Sequence, residues 1–256
     1  MTTSSPPAAP TSSPLRGLRV LVTGASRGLG RGLTVSLLRQ GATVLALARS
    51  SADLQALAAA MEQEARQTPS GQHGALLPQA GSMLDALVLE EACRQLQEQA
   101  GGLDLLIANA GVYGPHCPFQ DADPAAWEEA FLVNTLGLSR SCRACVPALA
   151  ASGRGQILVV GSAIGHTHGQ HCSAYATSKA MSWSLVKCLS TDLAPLGIAV
   201  NELIPGPVNT AMNPGASTQP ACREPDDPAF LELLNFLWNL PGKTPSGQSF
   251  SLRTVP

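Results

Sequence analysis

Short, unbroken apolar runs alternate with longer helical patterns along most of the 256 residues, and this alternation constrains the fold more than any other feature. The runs are LRVLVTG (18–24), ATVLALA (42–48), ALLPQA (75–80), LDLLIANAG (103–111), GQILVVGS (155–162) and IAVNELIPG (198–206). QSFSLR (248–253) is a candidate last strand. Helical patterns separate them at 30–41, 51–66, 83–99, 124–151, 172–194 and 228–239. A strand with one face in water alternates apolar with polar residues, whereas a strand apolar at every position needs cover on both faces. Strand–helix repetition of this kind predicts an α/β fold with a parallel sheet. Gly41 is placed to end the first helix, Pro78 weakens the third strand, and Pro147 is expected to disturb the last turn of the long fifth segment.

Several classes are set aside by composition. Charged residues make up 13% of the chain and the formal net charge is −2, so no field gathers nucleic acid or an anionic membrane. The sequence contains no apolar run long enough to span a bilayer. Residues 1–14, MTTSSPPAAPTSSP, lack the basic start and apolar middle of a secretion signal and read as a disordered tail. Beyond them no linker or repeat appears, so residues 15–256 are expected to form one domain. Seven cysteines, an odd number in no dense pattern, read as the reduced thiols of a cytoplasmic protein. Cys142 and Cys145 form a CxxC inside a helical segment, without the second pair that a zinc site needs.

Two local features carry chemistry. Between the first strand and the first helix, VLVTGASRGLG sets Gly24, Gly28 and Gly30. Glycine lets backbone approach a pyrophosphate without Cβ clashes, and a helix N-terminus offers free N–H groups to the anion. Tyr175 and Lys179 are four apart in a helical segment and so share a face. A free phenol titrates near pH 10, and a nearby ammonium would stabilise its anion. Taken alone, a tyrosine and lysine at this spacing read more readily as an ordinary surface pair.

The glycine spacing is TGxxxGxG rather than GxGxxG, and with it the chain resembles the short-chain dehydrogenase/reductase family. NAG (109–111) follows the fourth strand, Tyr175 and Lys179 form Tyr-x-x-x-Lys, Ser162 lies thirteen residues before Tyr175, and IPGPVNT (204–210) resembles the family's Pro-Gly loop. The resemblance covers residues 15 to 212. It implies a single Rossmann-like, doubly wound parallel sheet of about seven strands. It further implies that Tyr175 is the general acid or base, that Ser162 holds the substrate oxygen, and that Lys179 lowers the tyrosine pKa and binds the nicotinamide ribose. Asn134, in FLVNTLG, matches the helix asparagine that positions a water beside the lysine. Cofactor contacts are expected from Thr23, Gly24, Ser26, Arg27, Gly28, Leu29 and Gly30 of the first turn and from Arg49 and Ser50 after the second strand. Asn109, Ala110 and Gly111, then Tyr175 and Lys179, then Pro205, Gly206, Val208 and Thr210 complete the set.

The second strand ends in Ala48-Arg49-Ser50 with no acid to bind a ribose diol, and Arg27 adds a second cation. Guanidinium groups grip phosphate, so NADP(H) is expected over NAD(H). Departures from the family are Gly81 where an adenine-binding Asp is usual, leaving backbone near Ser82 for that task, and a C-terminus without Asp-Gly-Gly. The loop 205–228, rich in Pro, Gly, Ser and Thr, suits a flexible lid. Val112, Tyr113, His116, His166 and Met212 are expected to line the substrate pocket. His166, His168 and His171 are read as pocket wall or solvated loop, without the partners of a metal site.

The expected function is reduction of a ketone to a secondary alcohol, or the reverse, on a small or medium-sized molecule. The expected assembly is a homodimer or homotetramer, with a dimer through the helices at 124–151 and 172–194. Non-redox chemistry on the same fold (dehydration or isomerisation) and dinucleotide binding without turnover are the alternatives.

Overall fold

The computed structural model describes Ser13 and residues 15–68, 72–212, 216–219, 222–240 and 244–252. The predicted tail lies outside the described residues apart from Ser13.

Among the described residues there are seven parallel strands: β1 (Arg19–Thr23), β2 (Thr43–Ala48), β3 (Leu76–Ala80), β4 (Leu105–Ala108), β5 (Gln156–Val160), β6 (Ala199–Ile204) and β7 (Ser249–Ser251). The helices are α1 (Gly28–Arg39), α2 (Ser51–Gln67), α3 (Ala86–Ala100), α4 (Pro124–Phe131), α5 (Leu138–Ala151), α6 (Ser173–Asp192) and α7 (Pro228–Asn239). Sheet order is β3-β2-β1-β4-β5-β6-β7, every pairing parallel. This is the parallel sheet expected from the strand–helix alternation, in the doubly wound, Rossmann-like order that the family resemblance implies. The edge position of β3 explains why Pro78 is tolerated, since an edge strand has one unpaired side.

Successive residues of a strand face opposite ways, and the core divides accordingly. Val20, Val22, Val44 and Ala46 join Leu33 and Leu37 of α1, Leu54 of α2 and Phe230 of α7 on one face. Leu21, Leu45, Leu106 and Val200 join Leu89 of α3, Cys145 of α5 and Val186 of α6 on the other. Each fully buried Leu contributes about 1.5–3 kcal/mol.

The long helical segment 124–151 is not uniform. Residues Leu132–Gly137 form a π-helical turn between α4 and α5, whereas α5 continues through Pro147 to Ala151. Pro147 does not interrupt α5, and the irregularity of the segment lies instead in the turn that carries Asn134. The chain reverses direction around β1, whose neighbours are β2 and β4, and a crevice opens at the carboxyl ends of these strands.

Candidate active site

A cleft of about 940 Å³ lies over the carboxyl ends of the strands. At one end sits the glycine turn. Gly24 has φ +68°, and a Cβ there would stand 2.8 Å from Ala110 Cα. Gly30 is held closer still: a Cβ would meet the Gly24 carbonyl at 2.3 Å and Asn109 Nδ2 at 2.4 Å. Asn109 Nδ2 donates to the carbonyls of Thr23 (3.0 Å) and Gly24 (3.3 Å), while Thr23 Oγ1 accepts from the backbone N–H of Asn109 and Ala110. Gly30 and Asn109 thus lock β4 to the turn, and Gly30 itself does not line the cleft. Helix α1 has no side-chain cap at its N-terminus and no acid in its first turn. Its N–H groups and positive dipole end suit the pyrophosphate of a dinucleotide. A Cβ on Gly28 would lie 3.2 Å from Thr210 Cγ2, so the loop after β6 folds down onto the turn.

At the other end, Ser162 follows β5, and Tyr175 and Lys179 ride on α6; all three line the cleft. Lys179 is buried and donates from Nζ to the Val160 carbonyl at 2.8 Å, and Nζ lies 5.7 Å from the Tyr175 ring centre. Asn134 lies behind them, 2% exposed. Its Oδ1 accepts from Val112 N–H, and its Nδ2 donates to the Val112 carbonyl and to Ser178 Oγ. Each bond is 2.8–2.9 Å. Gly111 lies beside both groups: a Cβ there would be 3.1 Å from Asn134 Oδ1 and 3.8 Å from Lys179 Nζ.

Burial dominates the electrostatics of this end of the cleft. Burial pushes the Tyr175 phenol up to about 12, a hydrogen bond with Ser162 pulls it down, and Tyr113 and Cys172 raise it again. The Lys179 ammonium donates to the Val160 carbonyl and stays within one helical turn of the phenol. The lysine is itself pushed down to about 8 by burial, opposed by the carboxylate of Glu202.

Glu202 escaped the sequence reading. It is fully buried on β6, where Oε2 accepts from His166 Nε2 at 2.8 Å and from Ser249 Oγ at 2.5 Å, while Oε1 has no hydrogen-bond partner among the described residues. Gly161 makes room for it, since a Cβ there would lie 1.9 Å from Oε1. His166, expected to line the pocket, instead faces Glu202 on one side and the Trp183 ring on the other, 5.1 Å between ring centres. Neither His166 nor His116 lines the cleft, whereas Val112, Tyr113 and Met212 do. Tyr113 stacks on Tyr175 with ring centres 4.6 Å apart and planes 17° from parallel.

Thr23, Gly24, Ser26, Arg27, Gly28, Leu29, Arg49, Ser50, Asn109, Ala110, Gly111, Pro205, Gly206, Val208 and Thr210 all line the cleft. So do Asp53, Met83 and Glu129, which the sequence reading did not single out. Glu129 lies 3.9 Å from Arg49 in an exposed ion pair. At Gly81 a Cβ would meet Val88 Cγ1 at 2.6 Å, so α3 leaves no space for the usual Asp. The loop after β6 is pinned where it is described: Val208 bridges Arg223, and Asn209 N–H donates to the Arg223 carbonyl. Residues 213–215 and 220–221 of the expected lid lie outside the described residues.

The family model for short chain dehydrogenases matches residues 19–221. The chain belongs to the short chain dehydrogenase family. An uncharacterized NAD-dependent oxidoreductase of Mycobacterium tuberculosis is 33% identical over 226 residues, covering 82% of this chain and 79% of its own. The D-xylose 1-dehydrogenase of Caulobacter vibrioides is 31% identical over 196 residues, covering 77% and 74%. A solved structure from Escherichia coli CFT073, complexed with NADPH, superposes with a TM-score of 0.81 at 26% identity over 94% of this chain and 99% of that one. As a short chain dehydrogenase the protein is an oxidoreductase, and its relatives include users of both nicotinamide cofactors. Among the described residues no helix is long and apolar enough to cross a membrane.

Proposed function

We propose that the protein is an NADP(H)-dependent oxidoreductase that interconverts a ketone and a secondary alcohol on a small or medium-sized metabolite, with reduction favoured. The observation that carries this reading is the placement of Ser162, Tyr175 and Lys179 in one cleft with the glycine turn. The turn and the uncapped start of α1 fit a pyrophosphate, and Arg27 and Arg49 line the cleft with them, where a 2′-phosphate would add negative charge. The bound dinucleotide would supply the hydride. Tyr175, with a pKa near 12, is protonated at neutral pH and gives its proton to the carbonyl oxygen in reduction. Ser162 donates a hydrogen bond to the same oxygen. The Lys179 ammonium offsets the phenolate charge as the proton leaves, and Asn134 orders a water that links the lysine to solvent.

Residues 15–256 are read as one domain of a cytoplasmic homodimer or homotetramer. Leu136 (47% exposed), beside α5, and Met181 (43% exposed), on α6, favour pairing through these helices. Light scattering of the purified chain tests this, and a monomer would reject it.

The main test follows absorbance of the reduced nicotinamide across a panel of ketones, aldehydes and alcohols, with calorimetric titration of NADPH and NADH. Turnover of a ketone with tighter NADPH binding is the expected result. Equal affinities would reject the cofactor preference, and dinucleotide binding without turnover across the panel would reject the redox reading.

A further inference from the structure

The CxxC of the long helix takes no part in the cleft, yet the fold gives one of its thiols a partner. Cys145 of α5 is fully buried, and its Sγ lies 3.9 Å from Sγ of Cys93 on α3. The two are 52 residues apart in sequence and meet only because α3 and α5 pack side by side on the same face of the sheet. Cys93 is half-buried, the less enclosed of the two, and its Sγ also lies 3.5 Å from the Ala144 carbonyl. All seven cysteines are free thiols in this structure.

We propose that Cys93 and Cys145 form a thiol-exchange site that closes into an internal disulfide when a low-molecular-weight disulfide reaches Cys93. The attacking group is set by the environment. The hydrogen bond between the two sulfurs holds the Cys93 thiol below its ordinary range, and the same bond, together with burial, pushes Cys145 up. Cys93 is also the less buried of the two thiols, whereas Cys145 is enclosed, so Cys93 is the thiolate that attacks. It forms a bond to one sulfur of the reagent RSSR and breaks the S–S bond, and the first RS⁻ leaves with the proton that Cys93 released. Cys145 then loses its proton and attacks the Cys93 sulfur. The mixed disulfide breaks, and the second RS⁻ carries off that proton. Two protein thiols are oxidised to one disulfide, and one RSSR is reduced to two RSH. The sulfurs must close from 3.9 Å to about 2.05 Å for the bond to form.

The bond would brace the wall of the cofactor cleft. Met83 and Leu84, just before α3, line the cleft. Arg140 of α5 donates to the Leu84 carbonyl, and a Cβ on Gly137 would touch Met83 Cε at 2.5 Å. Stapling α3 to α5 holds these contacts together.

The test uses the reduced full-length chain incubated with oxidised glutathione, followed by mass spectrometry of the intact protein and of peptides digested without reductant. The expected product has lost two hydrogens and yields a peptide linking Cys93 to Cys145. Its thermal midpoint is raised, and dithiothreitol returns both mass and midpoint. Cys188→Ser, at an exposed thiol, keeps the link, and Cys93→Ser loses it. A stable glutathione adduct on Cys93 without closure, a bond mapped to Cys142–Cys145, or no bond between Cys93 and Cys145 would each overturn the proposal. The wild-type result decides even if Cys93→Ser folds poorly.

Discussion

At the glycine-turn end of the cleft the chain brings backbone close and keeps acids out of the first turn of α1: Gly24, Gly28 and Gly30 omit side chains. At the other end it buries titratable groups. Tyr175 is pushed up to about 12, Lys179 is pushed down to about 8, and Glu202 sits fully buried beneath His166. The first end works by shape and tolerates no added atom. The second works by charge, and removing a single atom there changes the chemistry while leaving the fold in place.

The sharpest way to separate the two ends is Tyr175→Phe. It deletes one oxygen at the charge end, and turnover is expected to fall about 100- to 10,000-fold. Calorimetric affinity for NADPH should stay nearly unchanged, because the shape end is intact. If turnover persists, Tyr175 is not the acid.

Gly30→Ala makes the opposite intervention, adding one carbon at the shape end. The new Cβ would press on the Gly24 carbonyl and Asn109. Overpacking of this kind costs about 1–3 kcal/mol, so NADPH affinity is expected to drop about ten-fold or more with a lower thermal midpoint. A variant binding as tightly as the parent would show that the turn has slack.

Glu202→Gln removes charge without changing shape. The carboxylate raises the Lys179 pKa, so its loss lowers that pKa further below about 8. Lys179 is charged below its pKa and neutral above it; reduction should therefore decline as pH rises through about 8, and in the variant the decline should begin at lower pH. At pH 8 the rate is expected to fall up to about five-fold. A pH–rate profile that superposes on the parent would break the link between Glu202 and Lys179.

The smallest effect belongs to Arg49→Ala. The side chain is 68% exposed and already lies near Glu129. NADPH affinity is expected to weaken about two- to three-fold with NADH unaffected, and Glu129→Gln should move it the other way. Equal loss for both cofactors would mean that Arg49 does not meet the 2′-phosphate.

How much of this was legible in the letters depends on how far apart the cooperating residues lie. The strand–helix alternation, the TGxxxGxG turn and the Tyr175–Lys179 pair are local patterns. Backbone periodicity and the absence of Cβ atoms act over a few residues, so the sequence by itself determined a parallel α/β sheet, a cradle after β1 and a phenol one helical turn from an ammonium. Glu202 with His166 spans 36 residues and Cys93 with Cys145 spans 52, and no periodicity links them. Tertiary structure alone decided those pairings, the stacking of Tyr113 on Tyr175, the π-helical turn under Asn134 and the displaced pKa values. Each depends on which groups the packed helices bring together and on how much water that packing excludes. Desolvation is a property of the whole assembled interior, not of any stretch of the chain.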